Sequence, residues 1–476
     1  MIKVGKNAED TIYNNRWKIL VCIVTVTFMN CLDASIVNVA LPMISEDLGV
    51  TMAQVQWIVT SYLIAISCLI LLGGRFGDVK GKCNTFKIGI FLFTLGSLFC
   101  GLSHTLPLLV ISRVFQGIGA SLTMANSLGI ITDTFSKGGR GKAVGISGAS
   151  VALGTMVGPA LGGIIVSLRW EYIFLINVPI GIVAFIAAMK ILPKEEGHKD
   201  KKIDIIGTIL FAIFIISIVL VTTEGQFVGY TSFPIIIGFI ISIFSFILFI
   251  IIEMKIESPV LDLSIFKNNL FSISVFCGFI SFIAISCFTI LLPFYLQDVL
   301  KLTPFYAGLF MIIYPITLSI VSPLSGTLAD KIGSEIIALI GLSMLSLSFV
   351  LMSTIHEATP IWLVGIYSIV MGIGNGMFQS PNNTLVMSTV KKNKLGIAGS
   401  VNALVRNLGM IFGVTLGTTL LYSKMSNILG YTVTNYINGK DHVFIISMDF
   451  VYIVAAIICF VGVIISATRF KKKLSR

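Results

Sequence analysis

Apolar residues run in blocks of about twenty along most of the chain, separated by short polar or basic connections. A bilayer-spanning helix needs roughly 20 mostly apolar residues. The pattern therefore predicts fourteen spans, centred near residues 29, 63, 94, 119, 155, 181, 212, 243, 283, 315, 344, 372, 408 and 457. The connections are too short for a soluble domain with its own core, so function is placed inside the membrane.

One block breaks the rules of a soluble helix. Residues 154–163 read Gly-Thr-Met-Val-Gly-Pro-Ala-Leu-Gly-Gly, within an apolar run over 143–168. In water a mid-helix Gly costs about 1 kcal/mol and Pro about 3 kcal/mol. In a bilayer, neighbouring helices re-satisfy the freed backbone groups. Gly154, Gly158 and Gly162 share one helical face and predict the close approach of a second helix. Pro159 predicts a bend, and Gly163 closes the motif. The pattern fits a helix that rearranges against a neighbour, and it equally fits plain close packing.

The chain also resembles itself. Gly74, Asp78 and Gly81 recur as Gly326, Asp330 and Gly333 at an offset of 252. Gly117, Gly119, Gly141, Gly154, Gly158 and Gly162 recur as Gly372, Gly374, Gly396, Gly409, Gly413 and Gly417 at 255. The matches fall on corresponding spans and run in the same sense. They predict a six-helix bundle over 1–196, two inserted helices with linkers over 197–260, and a second six-helix bundle over 261–476. Parallel repeats of this kind place a substrate site between the halves, near the bilayer midplane. The copies differ: Pro159 aligns with Val414 and Gly163 with Thr418.

Composition agrees with the pattern: of 476 residues, 56% are hydrophobic and 12% charged, as in a polytopic membrane protein. The net charge of +11 does not point to nucleic acid, because the basic residues are sorted by side. Arg169, Lys301, Lys424 and Lys440 fall in one set of loops and two Arg in spans, leaving 27 of the 33 Lys and Arg to the other loops and both tails. Basic loops face the cytoplasm, which predicts cytoplasmic termini. Lys3, Lys6, Arg16 and Lys18 precede the first span like a signal n-region, but the run is too long and lacks a cleavage site, so it reads as a retained helix. Seven of eight Cys lie in spans and Cys83 in a basic loop, with no metal or redox spacing.

Charges within a bilayer are expensive and each needs a reason. Four are predicted there: Asp33, Arg113, Arg406 and Asp449. At about 1.5 Å per residue, Asp33 and Arg113 reach one level on the outer side, and Arg406 lies closest to the midplane. Asp33 reads as a proton-exchanging carboxylate, or as half of a static pair with Arg113. Gln116 is a polar neighbour one turn from Arg113. Arg406 reads as an attractor for an anionic substrate group, or as the partner of a distant carboxylate. Asp449 reads as a second cation site or as a residue at the outer mouth. Trp57 and Tyr62 are aromatic candidates to line a cavity.

Several motifs now converge. They are Leu32–Pro42 in span one, Gly74–Lys82 between spans two and three, Arg113–Ala120 in span four, Gly154–Gly163 in span five and Arg169–Pro179 before span six. In order and in topology the chain resembles the major facilitator superfamily, in particular its fourteen-span drug:proton antiporters. Val79 and Cys83 depart from the basic residues usual in the loop motif. The resemblance implies two six-helix bundles plus two additional helices, an all-α membrane fold. It implies proton-coupled efflux of hydrophobic or amphipathic compounds by alternating access, with a lipid or metabolite exporter on the same fold as the alternative. Asp33 and Arg113 would couple the proton. Gly74, Asp78, Gly81, Lys82, Asp330 and Arg140 would form a cytoplasmic gate. No cofactor, metal or nucleic acid is implied. The partners are protons, a small-molecule substrate and the lipid of a bacterial cytoplasmic membrane, and the protein is expected to be a monomer. The chain has no Gly-x-x-x-x-Gly-Lys-Ser/Thr phosphate loop and no nucleophile–base constellation, which argues against ATP drive and against an enzyme.

Overall fold

The protein is seen in a computed structural model that describes residues 15–50, 52–55, 57–136, 138–166, 168–193, 204–256, 259–391, 394–431, 433, 436–437 and 439–471. Lys3 and Lys6 lie outside the described residues. Every regular element among the described residues is a helix. The long ones are α1 (Arg16–Asp47), α2 (Trp57–Lys80), α3 (Lys82–Gly101), α4 (Leu106–Thr134), α5 (Arg140–Val166), α6 (Asn177–Ile191), α7 (Ile205–Val228), α8 (Phe233–Glu253), α9 (Asn269–Phe294), α10 (Ile313–Ile332), α11 (Ser334–Met352), α12 (Ile361–Ser388), α13 (Leu395–Leu429) and α14 (Asp441–Lys471). Among the described residues, thirteen helical segments are long and apolar enough to cross a bilayer. The remaining predicted span is α5, a 27-residue helix that packs against α1 and α10. It stays α-helical through the Gly-rich stretch. The side chain of Pro159 lies outside the described residues.

In the first half α1 packs on α5, and α4 packs on both α2 and α3; in the second, α9 packs on α13, α12 on α10 and α11, and α11 on α14. Helices α7 and α8 pair with each other, and α7 leans on α2. Ile240, Phe244, Ile247 and Ile251 of α8 are exposed along one face. Lipid tails match such side chains, so an outward apolar face carries no penalty in a bilayer.

The internal duplication is visible as a reciprocal exchange of contacts. A Cβ on Gly141 of α5 would lie 2.3 Å from the Gly326 carbonyl of α10, and one on Gly74 of α2 would lie 2.7 Å from the Gly396 carbonyl of α13. These are corresponding pairs with the halves interchanged. Further along, Gly154 and Gly158 of α5 meet Phe28 and Ser35 of α1. Gly409 and Gly413 of α13 meet Phe279, Phe282 and Ile283 of α9. Each of the two helices thus crosses the opposite half at its start, then runs along the first helix of its own half.

One detail corrects the sequence reading, and a second agrees with it. Cys83 is not in a loop: it is buried in the first turn of α3, because α2 and α3 are joined by Gly81 alone. Gly163 lies off the crossing face, as the four-residue spacing of Gly154, Gly158 and Gly162 requires. It is exposed, and a Cβ there would meet no atom within 4 Å, since it sits one position round the helix from Gly162.

The tight turns before α3 and α11 need glycine. Gly81 has φ +93° and Gly333 φ +110°, values that side chains rarely adopt. A Cβ on Gly333 would meet no atom within 4 Å. Gly333→Ala should therefore cost about 1–3 kcal/mol through backbone strain alone. Gly308→Ala, in open helical surroundings, should cost nothing. Thermal unfolding of the detergent-purified variants checks both.

Candidate functional site

The site is built around a carboxylate that has no access to water. Asp33 is on α1, at 0% exposure. Arg113 and Gln116 of α4, three residues apart, share the helical face turned to it. Arg113 Nη1 donates to Asp33 Oδ2 at 2.6 Å and to Gln116 Oε1 at 2.6 Å. Gln116 Nε2 donates to Asp33 Oδ1 at 2.9 Å and to Ser97 Oγ of α3 at 2.8 Å. Asn177 Nδ2, from the first residue of α6, donates to Asp33 Oδ1 at 2.8 Å. Arg113 Nε donates to the Ile58 carbonyl of α2 at 3.1 Å. The guanidinium lies 4.0 Å from the Tyr62 ring centroid and 5.5 Å from that of Phe174.

Five helices therefore converge on one buried ion pair. Glycine makes the convergence possible: a Cβ on Gly96 of α3 would lie 2.6 Å from the Gln116 Cα. The Arg169–Pro179 motif delivers Asn177. Its Trp170 Nε1 donates to Asp47 Oδ2 at the end of α1, at 2.8 Å, which fixes the loop before α6. Among the described residues Arg113 Nη2, Tyr62 Oη and Asn177 Oδ1 are buried without a hydrogen-bond partner. The cluster thus holds unused donors and acceptors beside a carboxylate.

Asp33, Arg113 and Gln116, all candidates from the sequence, are in contact. Gln116 and Tyr62 belong to this closed network instead of lining an open cavity, because α2, α3 and α4 pack too closely around them. Sequence reasoning misses Ser97 and Asn177. For Asn177 the available signal is its place in the motif before span six; for Ser97 there is none, since Ser is common in spans. Trp57 is 41% exposed at the start of α2. Arg406 and Asp449 are half-buried and do not join it.

The gate candidates divide into two groups. Asp78 is buried beside the start of α13, where a Cβ on Gly396 would lie 2.6 Å from its Oδ1. Asp330 Oδ1 accepts from the Gly141 backbone N–H at the start of α5, at 3.2 Å, with Arg140 in electrostatic reach. Both carboxylates sit where helix N–H groups and the helix dipole favour negative charge. Lys82 begins α3, just past the turn at Gly81. It pairs with Asp133 of α4 at 2.6 Å, because the turn at Gly81 directs α3 back along its own bundle. Among the described residues no group of three or more His, Cys, Asp or Glu is placed to hold a metal ion.

Residues 23–414, and again 275–474, match the Major Facilitator Superfamily. The chain belongs to that superfamily. It is therefore a membrane transporter and not an enzyme. It is 35% identical over 463 residues to the riboflavin transporter RibZ of Clostridioides difficile, covering 96% of this chain and 98% of that protein. It is 31% identical over 412 residues to the multidrug resistance protein Stp of Mycobacterium tuberculosis, covering 85% and 76%. It is 29% identical over 405 residues to the multidrug export protein EmrB of Haemophilus influenzae, covering 84% and 79%. The fold matches that of the proton:xylose symporter XylE with a TM-score of 0.64 at 16% identity, over 93% of this chain and 95% of that one.

The energetic weight of the pair can be measured. Arg113→Leu leaves Asp33 buried without its cation and should destabilise the protein by about 3–5 kcal/mol. Adding Asp33→Asn should recover most of that loss. Denaturant or thermal unfolding of the two single variants and the double variant in detergent closes the cycle.

Proposed function

We propose that this protein is a proton-coupled exporter of hydrophobic or amphipathic small molecules in a bacterial cytoplasmic membrane. The observation that carries the proposal is the Asp33–Arg113–Gln116–Asn177 network at zero exposure. In this reading Asp33 carries the coupling proton. As a carboxylate it holds Arg113. Once protonated it loses its charge, and Arg113 is left with neutral acceptors alone, among them the Gln116 amide oxygen and the Ile58 carbonyl. The freed guanidinium and the unpartnered Tyr62 and Asn177 atoms then favour a different arrangement of α1, α4 and α6. Proton capture is thereby converted into helix movement.

The basic end of the bundle, with the α2–α3 and α10–α11 turns, is assigned to the cytoplasm by its Lys and Arg, and both chain termini with it. There Asp78 and Asp330 latch the halves together at the starts of α13 and α5. A latched cytoplasmic end corresponds to a state open to the outside. The protein works as a monomer, without a resident cofactor. Metabolite export is the second reading, and the likeness to a riboflavin transporter over 96% of the chain favours it. Riboflavin is itself amphipathic, so both readings use the same cavity chemistry.

Vesicles reconstituted with the protein and given an imposed pH gradient should accumulate or expel cationic dyes or riboflavin in proportion to that gradient. Asp33→Asn should abolish gradient-driven transport, with insertion and unfolding temperature measured on the same preparation to separate loss of coupling from the cost of leaving Arg113 without its anion; full transport by that variant removes Asp33 from the role. Asp78→Ala should lower the turnover rate several-fold with a substrate dissociation constant within about twofold of wild type, as a loss confined to the moving step requires. Weakened binding at normal turnover would contradict the latch.

A further inference from the structure

Arg406 stands at the level where the two halves separate. On α13 it lies six residues beyond Ser400, whose hydroxyl meets α2 at Gly74, and three before Gly409, which meets α9 at Phe282. The first contact crosses between halves and the second stays within one. Val151, its counterpart on α5, lies between Gly148, which meets Ser322 of α10, and Gly154, which meets Phe28 of α1. The change from contacts between the halves to contacts within a half therefore falls at Arg406 and Val151. One of the two positions is cationic and the other apolar.

Arg406 stands at that boundary between the halves. It is half-buried on a helix of the second half, and its charge reaches Cys31 on α1 of the first. Among the described residues no carboxylate pairs with it. Its neighbour Asn407 has a buried amide nitrogen without a partner. By contrast, Asp33 and Arg113 cancel each other inside the first half. An uncompensated guanidinium in a bilayer interior is costly and marks a site of use. Its planar fork suits a carboxylate, a sulfonate or an acceptor-rich ring edge, to which it donates two parallel hydrogen bonds.

Resting on the transport reading above, the geometry points to Arg406 as a substrate-recognition residue that selects amphipathic compounds bearing an anionic or acceptor-rich group. The substrate's apolar body lies toward Val151 and its acceptor group against Arg406. A cationic compound gains nothing there and meets a like charge.

The test uses the full chain and two dyes of similar size, anionic fluorescein and cationic ethidium. Binding is read by fluorescence anisotropy in detergent, and transport in vesicles under a pH gradient. Arg406→Gln should weaken fluorescein binding and raise its KM by about tenfold or more, the loss expected for a charge-assisted contact. Ethidium should be unchanged or improved. Arg406→Lys, which keeps the charge but not the fork, should fall between. Unfolding temperatures matched to wild type separate recognition from misfolding. Saturable fluorescein binding that Arg406→Gln abolishes, with neither dye transported, would leave this site standing and remove the transport reading. Proton-driven ethidium movement with no fluorescein binding would do the reverse. Equal losses for both dyes, or fluorescein binding unaffected in Arg406→Gln, overturn the assignment.

Discussion

An ion pair withdrawn completely from water sets the terms for the first half of this protein. Taking a carboxylate and a guanidinium out of water costs several kcal/mol for each ion, and mutual attraction offsets this only when the remaining donors and acceptors are met. Asp33 cannot be satisfied by its own helix, whose backbone groups are already used. Its oxygens are met by Arg113 and Gln116 from α4 and by Asn177 from α6, with Ser97 of α3 holding Gln116 in place. The close approach of α3 to α4 at Gly96 and the anchoring of Trp170 on Asp47 follow from the same need. Packing in lipid has little hydrophobic drive between helices, so such contacts carry a large share of the specificity of the bundle. The satisfaction is incomplete: among the described residues Arg113 Nη2, Tyr62 Oη and Asn177 Oδ1 are buried without a hydrogen-bond partner.

The duplication that gave two similar bundles did not give two such sites. At the offset of 255, Arg113 and Gln116 correspond to Ser368 and Met371, both buried and neither charged. Tyr62, whose ring covers Arg113, corresponds at 252 to Tyr314, whose hydroxyl instead accepts from Asn375 Nδ2 at 2.6 Å. The aromatic framework is kept and the charges are gone. What both copies retain is the helix-crossing machinery: the positive-φ glycines at 81 and 333 and the carboxylates at 78 and 330, each at the start of a helix from the other half. The buried ion pair belongs to one half, whereas the joint between the halves uses both.

That joint is largely legible in the sequence, and the site is legible only in part. Fourteen helices follow from apolar block length, and the reciprocal crossing follows from glycines recurring at nearly equal offsets. Asp33 and Arg113 can be brought to one level because helix rise is fixed and charges in spans are rare. Asn177 cannot, since it meets Asp33 across 144 residues of chain and a single polar residue at a helix start carries no depth signal. Lys82 illustrates a different limit. Its place in a motif shared with Asp78 suggests a shared task, yet Asp78 lies against Gly396 of α13 while Lys82 pairs with Asp133 of its own half. Gln116 and Tyr62 read as cavity residues because polarity and aromaticity do not distinguish a wall from a core.

The added helices gain physical meaning from where their connection ends. Glu253, the last residue of α8, accepts from the backbone N–H groups of Val260 and Leu261 at 3.2 and 3.4 Å. Val260, Leu261 and Ile265 are buried with Leu395 and Ile397 of α13. Asp262 pairs with Lys394, the residue that precedes α13, and Lys394 Nζ also donates to Ser264 Oγ at 2.9 Å. Burial would push the Asp262 carboxyl up, but Lys394 and Ser264 outweigh it and hold the group below its ordinary range, so the pair persists through neutral pH. The linker is thus fastened to the start of α13, the same turn that receives Asp78. A movement that frees α13 from α2 has to carry the linker with it or break these contacts. The two-helix insertion is therefore coupled to the joint between the halves, although neither of its helices contributes to the buried ion pair.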